Sequence, residues 1–254
     1  FDLMLPPEKY FAEHPEYYAL IDGKRTAKHL YSQPCLSNPD VLRIMIEGIR
    51  SWLRDNPEAR LVSVSQNDSF VIGSYCTCPA CRAVNEEEGA PSGSLIRFVN
   101  AVAEALEPEF PEVTFDTLAY QYSTQPPKLT HPRHNVAIRM CTGGCSSHPI
   151  PDCANNAGSA DAIRGWSQIC RQLYIWDYTT DFAQYLNPYP NFQTLQDNIR
   201  FFRDHNGFGV FEQGNYNEGL SGEFGELRAY LLANLLWNPE FDVESGTESF
   251  LNAY

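Results

Sequence analysis

The chain has no stretch of about 18 uncharged apolar residues, which is the length that a transmembrane helix requires. It is also poor in basic side chains, with 18 Lys and Arg against 32 Asp and Glu, so its formal net charge is −14. Phosphate groups bind to clustered Lys and Arg, and this charge therefore argues against a nucleic-acid partner or an anionic membrane surface. The sequence predicts neither a membrane-spanning segment nor nucleic-acid binding.

Two common catalytic signatures are missing as well. No Gly-x-Gly-x-x-Gly follows a strand-like run, and no Gly-x-Ser-x-Gly elbow is present, which argues against a dinucleotide-binding domain and an α/β-hydrolase. The chain starts with Phe1 and shows no charged segment followed by an apolar one, as a signal peptide would. We therefore expect a mature product or an excised part of a longer protein, with further domains of that protein upstream and downstream.

The sequence contains 8 cysteines in 254 residues. This is too few for a disulfide scaffold but more than a reduced cytosolic enzyme usually carries. We therefore expect a periplasmic, cell-surface or secreted location. Aromatic residues make up 13% of the chain, which suits a protein that holds a sugar or another planar molecule on stacking surfaces.

Strand-like and helix-like segments alternate along the chain. Asn38 and Pro39 supply the cap and first-turn proline of one helix, and Ser92 is predicted to cap a second. Further helices are predicted around 160–171, 191–205 and 221–237. Six strand-like runs are predicted, near positions 2, 61, 114, 136, 173 and 209. The repeated order of strand then helix is typical of a parallel sheet with crossover helices in one domain, residues 1–254.

Several blocks of the sequence are typical of one family when they occur in this order. They are HPEYYALIDGKR (14–25), QPCLSNPDVL (33–42), VSVSQND (62–68), CTCPAC (76–81), WDYTTDF (176–182) and NPYPNFQTLQDNIRFF (187–202). In these blocks the chain resembles a domain of unknown function from large secreted proteins of glycan-degrading bacteria. That family looks related to the TIM-barrel glycoside hydrolases, including α-glucuronidases and hexosaminidases.

The resemblance implies an α/β fold of the (β/α)8 TIM-barrel type. It also implies that the barrel begins upstream of Phe1, so that Asp2–Leu5 would be its third strand and the first two strands are lacking. In such barrels, functional side chains lie at the carboxyl ends of the strands.

Glycoside hydrolysis uses two carboxyl groups, one to protonate the leaving oxygen and one to act as nucleophile or to activate water. We predict Asp68 and Glu212 as this catalytic pair and Asp177 as a third candidate, because all three follow predicted strands. Phe211 is expected to limit solvent at Glu212 and raise its pKa. The structural alternative is that each acid caps a helix or pairs with Arg139. No cofactor is expected for catalysis.

Polar and aromatic side chains at the same strand ends are predicted to bind sugar. Aromatic faces stack on the C–H face of a pyranose, and an arginine can hold the carboxylate of a uronic acid in a bidentate manner. The alternatives are that the rings pack loops and that the arginine forms a structural ion pair. The predicted binding residues are Gln66, Asn67, Tyr120, Tyr122, Arg139, Trp176, Tyr178, Gln213 and Tyr216.

Three thiols lie within six residues, at Cys76, Cys78 and Cys81, and they cannot all pair with one another. Either Cys35 completes a structural zinc site or some of these thiols form disulfides with distant cysteines. A second group, with the same two interpretations, consists of Cys141, Cys145, His148 and Cys153. We expect both groups to staple loops rather than to catalyse, because their ligands are mostly thiols.

The sequence thus predicts a glycoside hydrolase-like domain that acts on complex glycans by carboxylate acid–base catalysis. The first alternative is a non-catalytic carbohydrate-binding barrel in a multidomain surface protein. In that case the aromatic side chains at the strand ends bind sugar, but no catalytic pair of acids is present. The second alternative is a purely structural domain.

Overall fold

The computed structural model describes residues 1–27, 33–69, 73–216 and 222–253. The strands are β1 (Leu20–Ile21), β2 (Lys24–Arg25), β3 (Leu61–Ser63), β4 (Thr114–Ala119), β5 (Val136–Cys141), β6 (Leu173–Tyr178) and β7 (Gly207–Gln213). The helices are α1 (Pro7–Tyr10), α2 (Pro39–Asp55), α3 (Pro79–Glu88), α4 (Ser92–Leu106), α5 (Ala157–Ile169), α6 (Phe192–Asp204), α7 (Gly225–Trp237) and α8 (Val243–Ala253).

The central feature is a parallel sheet of five strands in the order β3-β4-β5-β6-β7. Strands that follow one another in the sequence are neighbours in the sheet, as expected for strands joined by crossover helices. The predicted α/β fold is therefore confirmed, and so are five of the six predicted strands. A separate pair, β1 and β2, forms a short antiparallel hairpin that was not predicted.

The predicted strand at Asp2–Leu5 is wrong. The backbone N–H groups of Met4 and Leu5 both donate to the carbonyl oxygen of Phe1, at 3.0 Å each, which closes a turn instead of extending the chain. Pro6 and Pro7 follow directly, and Pro7 begins α1. Local hydrogen bonds and the adjacent prolines determine the conformation of this segment.

The chain divides into two compact units, and the first consists of Phe1–Arg139 with Gln168–Gln172. Its helix α2 begins as predicted, because the Asn38 side chain accepts hydrogen bonds from the backbone N–H groups of Asp40 and Val41. Ser92, in contrast, is the first residue of α4 rather than its cap, and its hydroxyl donates to the Gln125 carbonyl at 2.6 Å. The apolar faces of the two helices supply most of this unit's core, namely Val41, Met45, Ile49, Leu53, Leu95, Ile96, Val99, Val102 and Leu106.

The second unit consists of Met140–Ser167 with Leu173–Tyr254. Helices α5, α6 and α7 correspond to the three helices predicted around 160–171, 191–205 and 221–237; Ser221, the predicted start of the last, lies outside the described residues. One buried cluster of this unit joins α6 to α7 through Leu195, Ile199, Leu232 and Leu235. None of the described helices combines the length and the apolar character needed to cross a membrane.

Candidate active site

Two of the three predicted acids lie side by side in the second unit. Asp177 is on β6 and Glu212 is on β7, and the parallel register pairs these two positions directly. Adjacent strands of a sheet are about 4.8 Å apart, and paired residues project from the same face. The carboxyl ends of β6 and β7 therefore carry two neighbouring carboxyl groups.

Asp177 is buried and is held from the neighbouring chain segment. Thr142 is the residue that directly follows β5, and its hydroxyl donates a hydrogen bond to Asp177 Oδ1. Burial raises the pKa of Asp177, and this rise is partly offset by hydrogen bonds from Thr142, from the Tyr178 backbone N–H and from Glu212. The arrangement supports a negative charge on Asp177 better than burial alone would allow.

At Glu212, in contrast, burial and the interactions with Asp177 all raise the pKa. Its pKa is raised well above the ordinary value, first by desolvation and then by the charge of Asp177 and a hydrogen bond shared with Asp177. The predicted direction of its pKa shift is therefore correct. Oε2 of Glu212 is hidden from solvent and has no hydrogen-bond partner among the described residues. Between two adjacent carboxyls that share a proton, we place the proton on Glu212 and the charge on Asp177.

Two cavities adjoin this pair, both lined by residues of the second unit. Asp177 lines the smaller one, of about 120 Å³, together with Thr142, Tyr178 and Asn191. Glu212 lines the larger one, of about 500 Å³. The larger volume is within the range of small-molecule binding sites. Its other walls come from loop residues and from α7, including Thr179, Phe211, Asn215, Arg228 and Leu232.

Arg228 stabilises one wall of the larger cavity and was not identified from the sequence. It is 5% exposed, and its guanidinium donates to the Glu223 side chain at 2.8 Å and to the Glu223 carbonyl at 2.7 Å. It also donates to the Asn191 side chain at 3.2 Å and lies over the Phe192 ring. These contacts fix the loop before α6 against the start of α7.

Four aromatic side chains form a cluster at the end of β6 and in the loops that follow β6 and β7. We call Tyr178, Phe182, Tyr185 and Tyr216 the aromatic cluster. The ring of Phe182 lies 5.8 Å from Tyr178, 6.2 Å from Tyr185 and 6.0 Å from Tyr216, and it is nearly parallel to the last at 21°. Tyr216 is 69% exposed. The cluster thus joins two predicted binding residues to two that the sequence analysis did not identify.

Trp176 and Gln213 lie on the other face of the sheet from Asp177 and Glu212. Buried and half-buried residues alternate along β6, with Asp177 buried and Trp176 half-buried, as successive strand residues require. The Trp176 indole N–H donates to Gln213 Oε1 at 2.7 Å, and its ring packs edge-on against Phe211 at 5.0 Å. Neither Trp176 nor Gln213 is among the described residues that line the two cavities.

The remaining predicted acid, Asp68, belongs to the first unit and is exposed. Its neighbours Gln66 and Asn67 are buried and bonded within that unit. Gln66 donates to the Tyr120 carbonyl and accepts from the Ser123 hydroxyl, while Asn67 exchanges hydrogen bonds with Asp2. Both side chains hold loops together in this structure. Their predicted contact with sugar, and the role of Asp68, remain predictions.

Arg139, also in the first unit, forms an ion pair with the buried Asp116 at 2.9 Å, so its charge is engaged inside the protein. Burial raises the pKa of Asp116, and the charge of Arg139 and a hydrogen bond from Ser63 partly offset this rise. Tyr122 packs against Tyr75 at 5.3 Å, and burial raises the pKa of its hydroxyl.

All eight cysteines lie in the described residues, and the structure has no disulfide bond among them. Cys35, Cys76, Cys78 and Cys81 lie together in the first unit, close enough for one metal ion to reach all four. Cys35 is within reach of the other three, as predicted, whereas zinc binding stays a prediction.

A second group, in the second unit, contains Cys145, His148 and Cys153, with Cys145 Sγ 3.4 Å from His148 Nδ1. The loop of this group is fixed by the buried Asn156, whose side chain bonds both backbone groups of Cys145. Cys141, which was predicted to join this group, is buried and outside it.

The fold and the site define an α/β protein with a paired carboxyl group at the ends of two parallel strands. The chain belongs to the family described as "Domain of unknown function (DUF4838)", whose model matches residues 1–254. None of the curated proteins compared with the chain matches it.

Proposed function

We propose that this domain is part of a glycoside hydrolase-like (β/α) barrel that acts on complex glycans outside the cytoplasm, with Glu212 as its general acid. The observation that carries the proposal is the Asp177–Glu212 pair beside a cavity of about 500 Å³. Glycosidases keep one carboxylic acid protonated at working pH by burial and by neighbouring charge. Both influences act on Glu212.

In the proposed mechanism, Glu212 gives its proton to the glycosidic oxygen as the bond to the leaving sugar breaks. Asp177 acts as a positioning residue, since its charge keeps the proton on Glu212 until the leaving group accepts it. Thr142 holds Asp177 in place by hydrogen bonding. Water completes the hydrolysis with the help of a second carboxyl. The prediction of Asp68 for that role rests on the sequence alone.

The aromatic cluster is the proposed sugar platform. It lies at the end of β6 and in the loops that follow the two acid-bearing strands, and Tyr216 presents most of its side chain to solvent. An exposed tyrosine ring can stack on the apolar face of a pyranose while its hydroxyl stays hydrated. The order of the sheet supports the barrel proposal, because consecutive strands of a (β/α) barrel are also neighbours.

The second candidate function is carbohydrate binding without hydrolysis. The adjacency of Asp177 and Glu212 favours it, because carboxyls on paired positions share a proton with each other instead of facing across a bound sugar. Hydrolases separate their two carboxyls by about 5 Å or more to leave room for the sugar or for water. If Asp68 does not supply the second carboxyl, this is the function that remains.

A glycan screen with the whole protein tests the proposal. The panel contains neutral, N-acetylated and uronic-acid-containing oligosaccharides, and each mixture is assayed both for new reducing ends and for affinity. Hydrolysis of at least one class of oligosaccharide supports the proposal. Binding without new reducing ends supports the second candidate, and the absence of both contradicts the two together.

A further inference from the structure

Four buried thiols converge in the first unit. Cys35 lies just before α2, Cys76 and Cys78 lie in the segment before α3, and Cys81 is in the first turn of α3. Each is 6% exposed or less. Their sulfur atoms all lie within 4.8 Å of one another, although Cys35 is more than 40 residues from the others in the sequence.

The distances between the sulfurs match a metal site better than disulfides. Cys35 Sγ lies 3.7 Å from Cys78 Sγ and 3.8 Å from Cys81 Sγ. A disulfide would bring two sulfurs to about 2.05 Å. In a tetrahedron of four thiolates around zinc, with zinc–sulfur bonds of about 2.3 Å, the sulfurs are about 3.8 Å apart. These two distances match the edge of such a tetrahedron, and all four sulfurs lie within 4.8 Å of one another, as binding to one ion requires.

We propose that Cys35, Cys76, Cys78 and Cys81 bind one zinc ion as a structural tetrathiolate site. Four protein ligands fill the tetrahedral positions that zinc prefers, and their burial leaves no open position for water or substrate. The site therefore has a structural role, and it does not depend on the proposed function.

The surroundings supply the partners that thiolate ligands need. The backbone N–H of Leu20 donates to Cys76 Sγ at 3.4 Å, and Arg25 Nη1 lies 3.7 Å from the same sulfur. Four thiolates with one Zn²⁺ carry a net charge of −2, which Arg25 partly balances. Arg25 is itself fixed, because the same nitrogen donates to the Tyr18 carbonyl at 2.6 Å. Outer-shell partners of this kind tune the affinity for metal.

The proposed zinc would replace a hydrophobic core in this part of the chain. Among the described residues, the cysteines pack with one further fully buried apolar residue, Ala19, and with Leu20 and Ile21 at the margin. Thr77 ties the loop to the hairpin, because its backbone N–H and its hydroxyl both donate to the Leu20 carbonyl. One ion would thus cross-link the segment before α2 to the start of α3, and the hydrogen bonds of Leu20 with Cys76 and Thr77 attach the β1–β2 hairpin to this site.

The decisive experiment is X-ray absorption at the zinc edge on the whole protein, purified with zinc and carrying Cys145→Ser and Cys153→Ser, which leave only His148 of the second group. We expect one zinc per chain with four sulfur neighbours at about 2.3 Å. Nitrogen or oxygen in the first coordination shell, iron in place of zinc, or a chain that binds no metal would overturn the proposal. Disulfides among these four cysteines, found by mass spectrometry without reduction, would overturn it as well.

Substitutions test the ligands individually in the same background. Cys81→Ser is expected to lose the zinc equivalent, whereas Cys170→Ser, which removes a buried thiol outside both groups, is expected to keep it. Arg25→Gln should weaken zinc affinity by roughly 10- to 100-fold, and Lys24→Gln on the same hairpin should leave it unchanged. Equal zinc affinity in the Arg25 and Lys24 variants would contradict the role given to Arg25. If Cys81→Ser does not fold, the absorption spectrum of the parent protein still decides.

Discussion

Asp177 and Glu212 occupy paired positions on two neighbouring parallel strands, and the pKa of each is raised above its ordinary value. Burial is the largest cause of the rise for both residues. At Asp177, hydrogen bonds from Thr142 and from the Tyr178 backbone partly offset it and favour a negative charge. That charge raises the pKa of Glu212 further. The pair therefore takes up a proton on folding, with consequences for stability and for the proposed chemistry.

Replacing Glu212 by Gln should change the dependence of stability on pH. The folded protein keeps a proton that the unfolded chain loses near pH 4.3, so the stability of the parent protein falls as pH rises through the raised pKa of Glu212. The Gln variant lacks this loss. Its free energy of unfolding relative to the parent should therefore increase between acidic and neutral pH, by about 1.4 kcal/mol for each unit of pKa difference.

Denaturant unfolding at several pH values measures this effect. Glu248→Gln is the matched control, because Glu248 is exposed on α8, and its difference from the parent should not vary with pH. A constant difference between the Glu212→Gln variant and the parent would show that Glu212 is ionised in the folded protein.

Thr142→Val should destabilise the protein by about 2 kcal/mol at neutral pH, because it removes a hydrogen bond to a buried charged carboxylate. Thr117→Val is the control: Thr117 is buried in β4, and its hydroxyl has no hydrogen-bond partner among the described residues. That substitution is expected to be neutral or stabilising. Equal losses for the two variants in thermal or denaturant unfolding would mean that the hydroxyl of Thr142 does not support Asp177.

Glu88 provides a prediction in the first unit. Burial alone would raise its pKa, but hydrogen bonds from Thr130, from the Leu129 backbone and from Arg97 outweigh burial and lower the pKa to about 2. Its stabilising effect is therefore present above pH 4.5 and is lost as pH falls towards 2. Glu88→Gln should cost about 2 kcal/mol at neutral pH and much less in acid.

The comparison variant for Glu88 is Glu87→Gln. Glu87 pairs with the same arginine, Arg97, at 2.9 Å, but its side chain is exposed. Its loss should change the free energy of unfolding by less than about 1 kcal/mol. Similar losses for both variants across the pH range would refute the account of Glu88.

Tyr216→Ala should weaken glycan binding roughly fivefold without affecting the fold, because one stacking contact is worth about 1 kcal/mol. Phe208→Ala is a close control: Phe208 is 68% exposed against 69% for Tyr216, but it lies near the start of β7, away from the aromatic cluster. Calorimetric titration with an oligosaccharide from the screen measures both. If the two variants bind equally, the aromatic cluster is not the sugar platform.

The five parallel strands could be predicted because each is a short β-rich run placed between helical segments. The failure at Asp2–Leu5 has a local cause, since a short apolar segment does not outweigh a turn followed by two prolines. The cap formed by Asn38 was predictable because capping depends on one side chain and the next two N–H groups.

The candidate site was predictable only in part. Asp177 and Glu212 were identified because functional side chains are expected at the carboxyl ends of strands. The same rule, applied to β5, would have identified Thr142. The rule failed to separate Trp176 from Asp177, although alternation along a strand places them on opposite faces. Phe182 and Tyr185 lie in a loop, where contacts depend on a path that the sequence pattern does not encode.

The most direct test of the central claim is the turnover of Glu212→Gln, measured beside the parent protein on an oligosaccharide that the parent cleaves. The substitution keeps the shape of the side chain and removes the proton. We predict that turnover falls by roughly 10²- to 10⁴-fold while affinity for the oligosaccharide is retained. Unchanged turnover in the Glu212→Gln variant would show that Glu212 is not the acid and would contradict the account.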